Sequence, residues 1–492
     1  MKAMEGLRER TERFIEKVED LQWKNHALGE VVRISEVYKE YKDLFETSTL
    51  EAVHDAGLDD RRNLYLFAFL LNERVSAVIS PIEDEIGRLL TQTEVEIDGQ
   101  TIPYNMVIPE IVGNGDRYKR KKLRDALVPV HRSLNALYEK KDKRIKEELE
   151  RLGYGDYLEV AQLLRLADIG KLAKRAEEFL KLSRELYVKV MGEAVDKYLG
   201  LTLEQVRRYD VLRLFSGIWW RAEFPANSMV SRLGHVLINM GIDPTAEGKI
   251  LIHTEPLKKK APRAACFGVR IPDDVRLSVK PMGGFGDYDS LFHEMGHAQH
   301  MAHTDKEELE FRYMGSNCIT EMHAFTLEDL LTKVPVLTEI FGLNESVAKE
   351  VSRFKWVQRL FIVRRYAAKL LYEFSWHTGR LTDLREGYKR YLEEAYCYPM
   401  DEEDTYSFLL DHDDLFYVVD YLRAWNISAA LDRFLTSNIG ETWYLTTKGG
   451  NSLKDLWSWG QLPLPEELAR IVDTTEFDPV QYFEYLKHQL DE

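Results

Sequence analysis

The chain has 492 residues, and 67 Lys and Arg against 83 Asp and Glu give it a formal net charge of −16 at pH 7. This acidic balance argues against nucleic acid as a partner, because phosphate binding depends mainly on clustered positive charge. With 45% hydrophobic and 30% charged residues, the composition is typical of a soluble globular protein with a large core.

The sequence also bears on the compartment. The three cysteines, Cys266, Cys318 and Cys397, are far apart and odd in number, which disfavours a disulfide framework. The first residues are charged and lack the apolar stretch of a secretion signal. The longest apolar run, residues 64–71, is far shorter than the roughly 20 residues that span a bilayer. We therefore predict a cytoplasmic protein that neither crosses nor binds a membrane, and a homo-oligomer is compatible with the sequence.

Helical patterns dominate both halves of the chain. Leucine and valine recur with alternating spacings of four and three residues through residues 123–137, as on one face of a helix. Strand signals are few. Residues 94–97 and 101–107 flank an Asp98-Gly99 turn and predict a hairpin. A second group, residues 249–253, 264–271 and 275–280, predicts short strands, after which the helical pattern resumes at about Tyr288. The sequence thus predicts one mostly α body with a small sheet in its middle.

The most informative motif follows that second strand group. His293, Glu294 and His297 form HExxH, and positions i and i+4 of a helix share one face. The two imidazoles can therefore bind one Zn²⁺, while Glu294 serves as general base for a metal-activated water that attacks an amide bond. HExxH also occurs by chance in helices that face solvent. Here the uncharged spacer and the helix-unfavourable Gly296 favour a metal site.

A catalytic zinc ion needs a third protein ligand. His303 stands ten residues after His293, which is the metzincin spacing, but that motif requires glycine where this chain has His300. Without the glycine, no turn is evident that would return His303 to the metal. His303 is therefore the weaker of two candidates.

The other candidate is Glu321, which stands 24 residues after His297. It lies on an amphipathic segment that Ser316 or Asn317 could cap, so a second helix would face the first. Alone, Glu321 would be taken for a surface glutamate near the start of a helix, where the helix dipole favours it. Together with the two histidines it is the better ligand.

These residues resemble a known group of enzymes. HEMGHAQH followed by Glu321 is similar to the glutamate-liganded zinc peptidases, which include the thimet oligopeptidase and oligoendopeptidase F family, angiotensin-converting enzyme and the Taq-type metallocarboxypeptidases. Residues 412–425, HDDLFYVVDYLRAW, resemble the C-terminal segment in which oligoendopeptidase F relatives carry a histidine followed by Phe-Tyr-Val. The resemblance covers about residues 260–470. It implies that His293, His297 and Glu321 hold one zinc ion per chain, with Glu294 as the base.

The same resemblance implies further roles near the C-terminus. Tyr417 would donate a hydrogen bond to the oxyanion, and His412 would donate to the substrate backbone. The pattern alone leaves Tyr417 undecided between this role and a half-buried core position, and a solvated acidic turn is the alternative for His412. Tyr421 is a candidate for substrate binding, although its pattern favours the core.

Upstream, the resemblance implies that the strand around Ala265 and Cys266 offers its edge to the peptide, a contact made by backbone groups. The Taq-type carboxypeptidases carry His-Pro-Phe where this chain has Ala264-Ala265-Cys266. This departure favours an oligopeptidase over a carboxypeptidase.

Together the residues and the resemblance predict a mostly α, two-lobed helical zincin with a small β-sheet beside the zinc helix and a deep central groove. The chain is expected to be one peptidase unit, with a helical N-terminal lobe over residues 1–245 and a catalytic region over residues 246–492. The predicted function is zinc-dependent hydrolysis of short peptides. The alternatives are a carboxypeptidase that removes single C-terminal residues and a catalytically silent peptide-binding protein on the same scaffold.

Overall fold

A computed structural model describes residues 2–491, which are mainly α-helical, as predicted. In chain order the α-helices are α1 (Lys2–Trp23), α2 (Ile34–Glu40), α3 (Thr47–Asp55), α4 (Arg61–Gln92), α5 (Tyr104–Gly113), α6 (Arg117–Arg151), α7 (Tyr157–Arg165), α8 (Ile169–Leu199), α9 (Arg208–Leu214), α10 (Met229–Asn239), α11 (Phe285–His303), α12 (Leu309–Tyr313), α13 (Asn317–Glu328), α14 (Glu345–His377), α15 (Leu384–Tyr396), α16 (Val418–Ile439), α17 (Thr447–Trp457), α18 (Pro465–Ile471) and α19 (Pro479–Asp491). The strands are β1 (Glu94–Ile97), β2 (Gln100–Pro103), β3 (Ile250–His253), β4 (Ala265–Arg270) and β5 (Asp274–Ser278).

The chain divides into two compact units, and each draws on separate stretches of sequence. The first unit contains the residues up to Ala77 together with Trp220–Ser352 and Arg423–Phe477. The second unit contains Val78–Trp219, Arg353–Leu422 and the residues from Asp478 onward. The lobes expected from the sequence, 1–245 and 246–492, are continuous stretches of chain, unlike these two units, and they stay a prediction. The central groove stays a prediction as well.

The second unit contains the predicted hairpin. β1 and β2 pair antiparallel around Asp98 and Gly99, which both have positive φ, at 51° and 76°. This conformation is the one that a two-residue hairpin turn requires. The predicted second strand, residues 101–107, was too long, because α5 begins directly after Pro103. Its buried residues Val107 and Ile111 lie four apart, the spacing of a helix face.

A core cluster of this unit joins that hairpin to the helices around it. The repeat in residues 123–137 lies on α6, whose N-terminus is capped by the Asp116 side chain. Because its leucines return to one face every three or four residues, they pack inward together. The cluster consists of Val95, Val107, Ile111, Leu123, Leu127 and Tyr209.

The first unit contains the other sheet, in the strand order β3-β5-β4. β3 runs parallel to β5 and β4 runs antiparallel to it, so β4 forms an edge. The predicted strand group is thus confirmed to within two residues at each end. Helix α11 packs against β4 and β5, and α1 packs against β4.

Helix α11 begins three residues before the predicted Tyr288. Gly284 precedes it with φ of 102°, a conformation that glycine adopts without steric cost. The side chain of Asp287 accepts hydrogen bonds from the backbone N–H groups of Met282 and Gly283, at 2.7 and 2.8 Å. These bonds fix the turn by which the chain enters the helix.

Helix α4 is long and apolar enough to cross a membrane by its length and composition, with a mean hydropathy of 1.2 in its most apolar window. Half of that window is buried inside the protein. A core helix of a soluble protein passes the same test. The apolar run of residues 64–71 therefore underestimated the length of the apolar segment in this helix. The absence of a membrane partner stays a prediction.

Candidate active site

Helices α11 and α13 bring three metal-binding side chains together in the first unit. His293 and His297 lie one turn apart on α11, with their Nε2 atoms 3.3 Å from each other. The Oε2 atom of Glu321, on α13, lies 3.4 Å from Nε2 of His293 and 3.8 Å from Nε2 of His297. Each residue offers a ligand atom, and all of these atoms lie within 4.8 Å of one another. Two histidines and a glutamate are a donor set typical of catalytic zinc sites.

Gly296 explains how α13 comes close enough for Glu321 to reach the histidines. A Cβ atom at this position would lie 2.5 Å from Cα of Ala324 and 2.7 Å from the carbonyl oxygen of His323. No side chain fits there without moving the backbone of α13. The glycine is therefore required by the close packing of the two helices.

Two further side chains hold the imidazoles in orientation. Nδ1 of His293 donates to Oε2 of Glu328 at 2.9 Å, and Nδ1 of His297 hydrogen-bonds Oγ1 of Thr320 at 2.7 Å. With both Nδ1 atoms engaged, both Nε2 atoms face Glu321. Partners of this kind fix the tautomer of metal-binding histidines. The donor atoms and their supports thus fit a zinc ion.

Burial and the nearby carboxylates set the protonation of this group. Burial lowers the pKa of His297 to about 4. Burial also acts on His293, but its hydrogen bonds to Glu321 and Glu328 outweigh that effect and raise its pKa to about 10. The two shifts differ in sign because His293 faces two carboxylates at hydrogen-bonding distance. A histidine must be neutral to bind a metal, so metal binding at His293 releases a proton.

Glu294 lies between α11 and the edge strand. Its Oε2 atom accepts a hydrogen bond from the backbone N–H of Cys266 at 2.9 Å, and burial raises the pKa of its carboxyl to about 7. Ala265 is paired with Ser278 of β5. β4 is thus an edge strand, as the peptide-docking hypothesis requires, but the N–H of Cys266 is bonded to Glu294.

The structure distinguishes the two candidates for the third ligand, Glu321 and His303. Ser316 caps α13, because its side chain accepts a hydrogen bond from the N–H of Cys318 at 3.3 Å. The capped helix places Glu321 beside the histidines. His303 hydrogen-bonds through Nδ1 to the carbonyl oxygen of Gln299 on its own helix, at 2.9 Å, and lies outside the cluster.

The remaining predicted residues belong to the second unit. The side chain of His412 is 5% exposed, and its Nε2 lies 3.0 Å from Nε2 of His377. The ring also contacts Trp376, at a centroid distance of 4.6 Å. The solvated turn considered for His412 is therefore wrong. Its role toward substrate stays a prediction.

Tyr417 follows a strained segment of backbone. Leu415 and Phe416 have φ of 53° and 57°, a left-handed conformation that costs about 1–2 kcal/mol for each such residue. Leu415 donates its N–H to the hydroxyl of Tyr157 at 2.7 Å, and its carbonyl oxygen accepts from Nε of Arg165 at 2.8 Å. The same guanidinium lies 5.0 Å from the centroid of the Tyr417 ring. Side chains thus hold the turn that sets the position of Tyr417.

Tyr421 belongs to a half-buried aromatic group. Its ring lies edge-to-face with Tyr417 at 5.3 Å and with Tyr366 at 5.2 Å between centroids. It is therefore neither a fully buried core residue nor an isolated surface tyrosine. Its role in substrate binding stays a prediction.

The sequence did not show which side chains hydrogen-bond the two metal-binding histidines. Asp287, Asp289 and Glu328 were all close in sequence to the metal ligands. A signal was present, because Glu328 is seven residues after Glu321 and so shares its helix face. Thr320, adjacent to a ligand, carried no such signal.

We expect Glu328→Gln to weaken zinc binding about 10- to 100-fold, because a neutral amide no longer fixes the His293 imidazole as a carboxylate does. Zinc affinity is measured by competition with a chromophoric chelator. The control is Glu339→Gln, which replaces an exposed glutamate. Equal zinc affinity in the two variants would contradict a supporting role for Glu328.

No protein-family model and no curated protein matches the sequence. Solved structures do match in fold. PZ peptidase A with an inhibitor has a TM-score of 0.70 at 15% identity, over 98% of this chain and 91% of that chain. A Bacillus anthracis protein assigned as an oligoendopeptidase F has a TM-score of 0.66 at 15% identity, over 93% of this chain and 84% of that chain. A further structure assigned as oligoendopeptidase F has a TM-score of 0.72 at 15% identity, over 100% of this chain and 92% of that chain.

The chain has an oligoendopeptidase F-like fold. The predicted resemblance is thereby confirmed at the level of fold, over nearly the whole chain and not only over residues 260–470. Because each neighbour shares 15% of its residues with this chain, the argument for function depends on the side chains of the site.

Proposed function

We propose that the protein is a zinc-dependent peptidase that hydrolyses internal bonds of short peptides. One observation carries the proposal: His293, His297 and Glu321 converge beside Glu294 in an oligoendopeptidase F-like fold. This donor set is one that catalytic zinc sites use, with a further coordination position open to water or substrate.

A zinc ion held by these three side chains would supply a Lewis acid that activates water and polarises the scissile carbonyl. Glu294 takes the proton of the attacking water on Oε1, since its Oε2 accepts the N–H of Cys266. It then delivers that proton to the nitrogen of the leaving amine. A carboxyl with a pKa of about 7 suits both steps, because it gains and loses a proton readily near neutrality.

Three further side chains are proposed to assist. Tyr417 would donate to the oxyanion, His412 to the substrate backbone, and Tyr421 would line the bound peptide. These roles rest on the resemblance of residues 412–425 to oligoendopeptidase F relatives. A cytoplasmic location is proposed from the sequence alone.

Product mapping tests the proposal. Zinc-loaded protein is incubated with unblocked short peptides, and the fragments are identified by mass spectrometry. We expect internal fragments that disappear after chelation and return when zinc is added. Stepwise loss of single C-terminal residues would instead indicate the carboxypeptidase, and peptide binding without fragments would indicate the silent binding protein.

A further inference from the structure

The imidazoles of His377, at the end of α14, and His412 form a hydrogen-bonded pair. Their Nε2 atoms are 3.0 Å apart, an ordinary hydrogen-bond length. Burial lowers the pKa of both rings well below the usual value, and nearby positive charges act in the same direction. Each ring is therefore neutral near pH 7 and carries one N–H and one lone pair. One Nε2 must donate and the other must accept.

The other ring nitrogen of His377 shows which of the two donates. Its Nδ1 is buried and has no hydrogen-bond partner among residues 4–491, whose side chains are described. A proton on Nδ1 would leave a buried N–H without an acceptor, which is rarer in proteins than a buried acceptor without a donor. The proton of His377 therefore belongs on Nε2, which donates it to His412.

Asp414 gives the same answer from the other side of the pair. Its Oδ1 lies 3.5 Å from Nδ1 of His412 and accepts no hydrogen bond from any described residue, while its Oδ2 accepts from Nζ of Lys141 at 2.6 Å. An N–H on Nδ1 of His412 would face this carboxylate favourably, whereas a lone pair there would face a negative oxygen. At 3.5 Å the contact is longer than a hydrogen bond, so the N–H keeps its capacity to donate elsewhere.

We propose that His377 is a positioning residue for the reaction: its Nε2–H donates to Nε2 of His412 and so keeps the proton of His412 on Nδ1, where it can serve a carbonyl oxygen of the peptide. The inference rests on the proposed peptidase function, to which the role of His412 toward substrate belongs. The bond made by one ring nitrogen decides the protonation of the other. With the opposite arrangement, Nδ1 of His412 would be a lone pair and could not donate.

Two aromatic rings hold His377 in orientation. Its imidazole is stacked on Tyr157 at 3.9 Å between centroids, with 6° between the planes, and on Trp376 at 4.6 Å and 15°. Stacking fixes the plane in which the N–H of Nε2 points. Phenylalanine at position 377 would keep a planar ring for this stacking and remove both ring nitrogens, so His377→Phe isolates the hydrogen bond from the packing.

NMR of the unmodified protein reads the tautomers directly. Zinc-loaded protein is labelled with a nitrogen isotope in its histidine rings, because protonated and bare ring nitrogens have widely separated shifts. We expect the proton of His412 on Nδ1 and that of His377 on Nε2, with a scalar coupling between the two Nε2 atoms across their hydrogen bond. The signals are assigned by their loss in His377→Gln and His412→Gln. A proton on Nε2 of His412 would overturn the proposal.

Kinetics test whether the hydrogen bond matters for turnover. We expect His377→Phe to lower kcat/KM about 3- to 10-fold, which corresponds to the loss of one hydrogen bond. His377→Gln should recover most of this rate, since its amide can still donate to His412. His235→Phe, at an exposed histidine on α10, is the matched control and should keep the full rate. A glutamine variant no faster than the phenylalanine variant would contradict the proposal.

A double substitution separates positioning from general support of the fold. If His377 acts through His412, adding His377→Phe to His412→Gln should cause no further loss of kcat/KM, because the partner is already gone. A further loss as large as that of His377→Phe alone would show a structural role and overturn the proposal. Urea midpoints are measured for the same four proteins.

The spectrum is recorded without substrate, which keeps this inference apart from the peptidase proposal. The expected tautomers in a protein that cleaves no peptide would contradict the peptidase proposal alone. Peptide cleavage by a protein whose His412 holds its proton on Nε2 would contradict the role of His377 alone.

Discussion

Glu294→Gln is expected to lower peptidase turnover by about 10²- to 10⁴-fold, the usual contribution of a general acid–base residue. The amide keeps the size of the side chain and can still accept the N–H of Cys266. It cannot take a proton from water near neutral pH. Turnover is measured on an internally cleaved peptide, beside the zinc content of the same sample.

We expect about one zinc ion per chain to be retained in this variant, since Glu294 is not among the three clustered ligand residues. Glu307→Gln, at an exposed glutamate shortly after α11, is the matched control and should keep full activity. Full activity in Glu294→Gln would refute the role of Glu294 as the base. Loss of zinc together with activity would instead reveal a structural role.

The second large effect is expected at Gly296. In Gly296→Ala the new methyl group would meet the backbone of Ala324 at 2.5 Å, and neither helix can yield without displacing Glu321 from the histidines. Overpacking of this kind costs about 1–3 kcal/mol of unfolding free energy. We expect a lower urea midpoint and weaker zinc binding in the same protein.

Gly192→Ala provides the control for this substitution. Gly192 lies within α8, and a Cβ atom there would meet nothing within 4 Å. Alanine should stabilise that helix by about 0.5–1 kcal/mol, because glycine loses more backbone entropy on folding. Equal stability and equal zinc affinity in the two variants would contradict the close packing of α11 and α13 as the reason for the glycine.

The spacing of residues along the sequence predicted most of the metal site. The positions of His293 and His297 follow from the pitch of a single helix, and Glu294 follows from its place beside them. Glu321 needed a second helix, and the signals for that helix, an apolar face and a capping serine, are also local. What spacing could not supply was the distance between the helices, which depends on Gly296 meeting Ala324.

The sequence pattern could not predict contacts between segments that are far apart in the chain. Asp287 lies much nearer the motif in sequence than Glu328, but Asp287 satisfies the turn before α11 while Glu328 reaches His293. A solvated turn was the alternative for His412 among its acidic neighbours, yet its side chain is 5% exposed and contacts His377, which lies on another helix.

The interleaved construction of the two units has a consequence for synthesis on the ribosome. The first unit needs residues 423–477 to be complete, and the second needs residues from 478 onward. Neither unit can therefore complete its fold before the later part of the chain has been synthesised. Helix α1 in particular lacks its partner β4 until some 240 further residues have been made. Such non-local closure is slow and leaves apolar surface exposed in the meantime. A nascent chain would accordingly depend on protection from aggregation until its last helices are made.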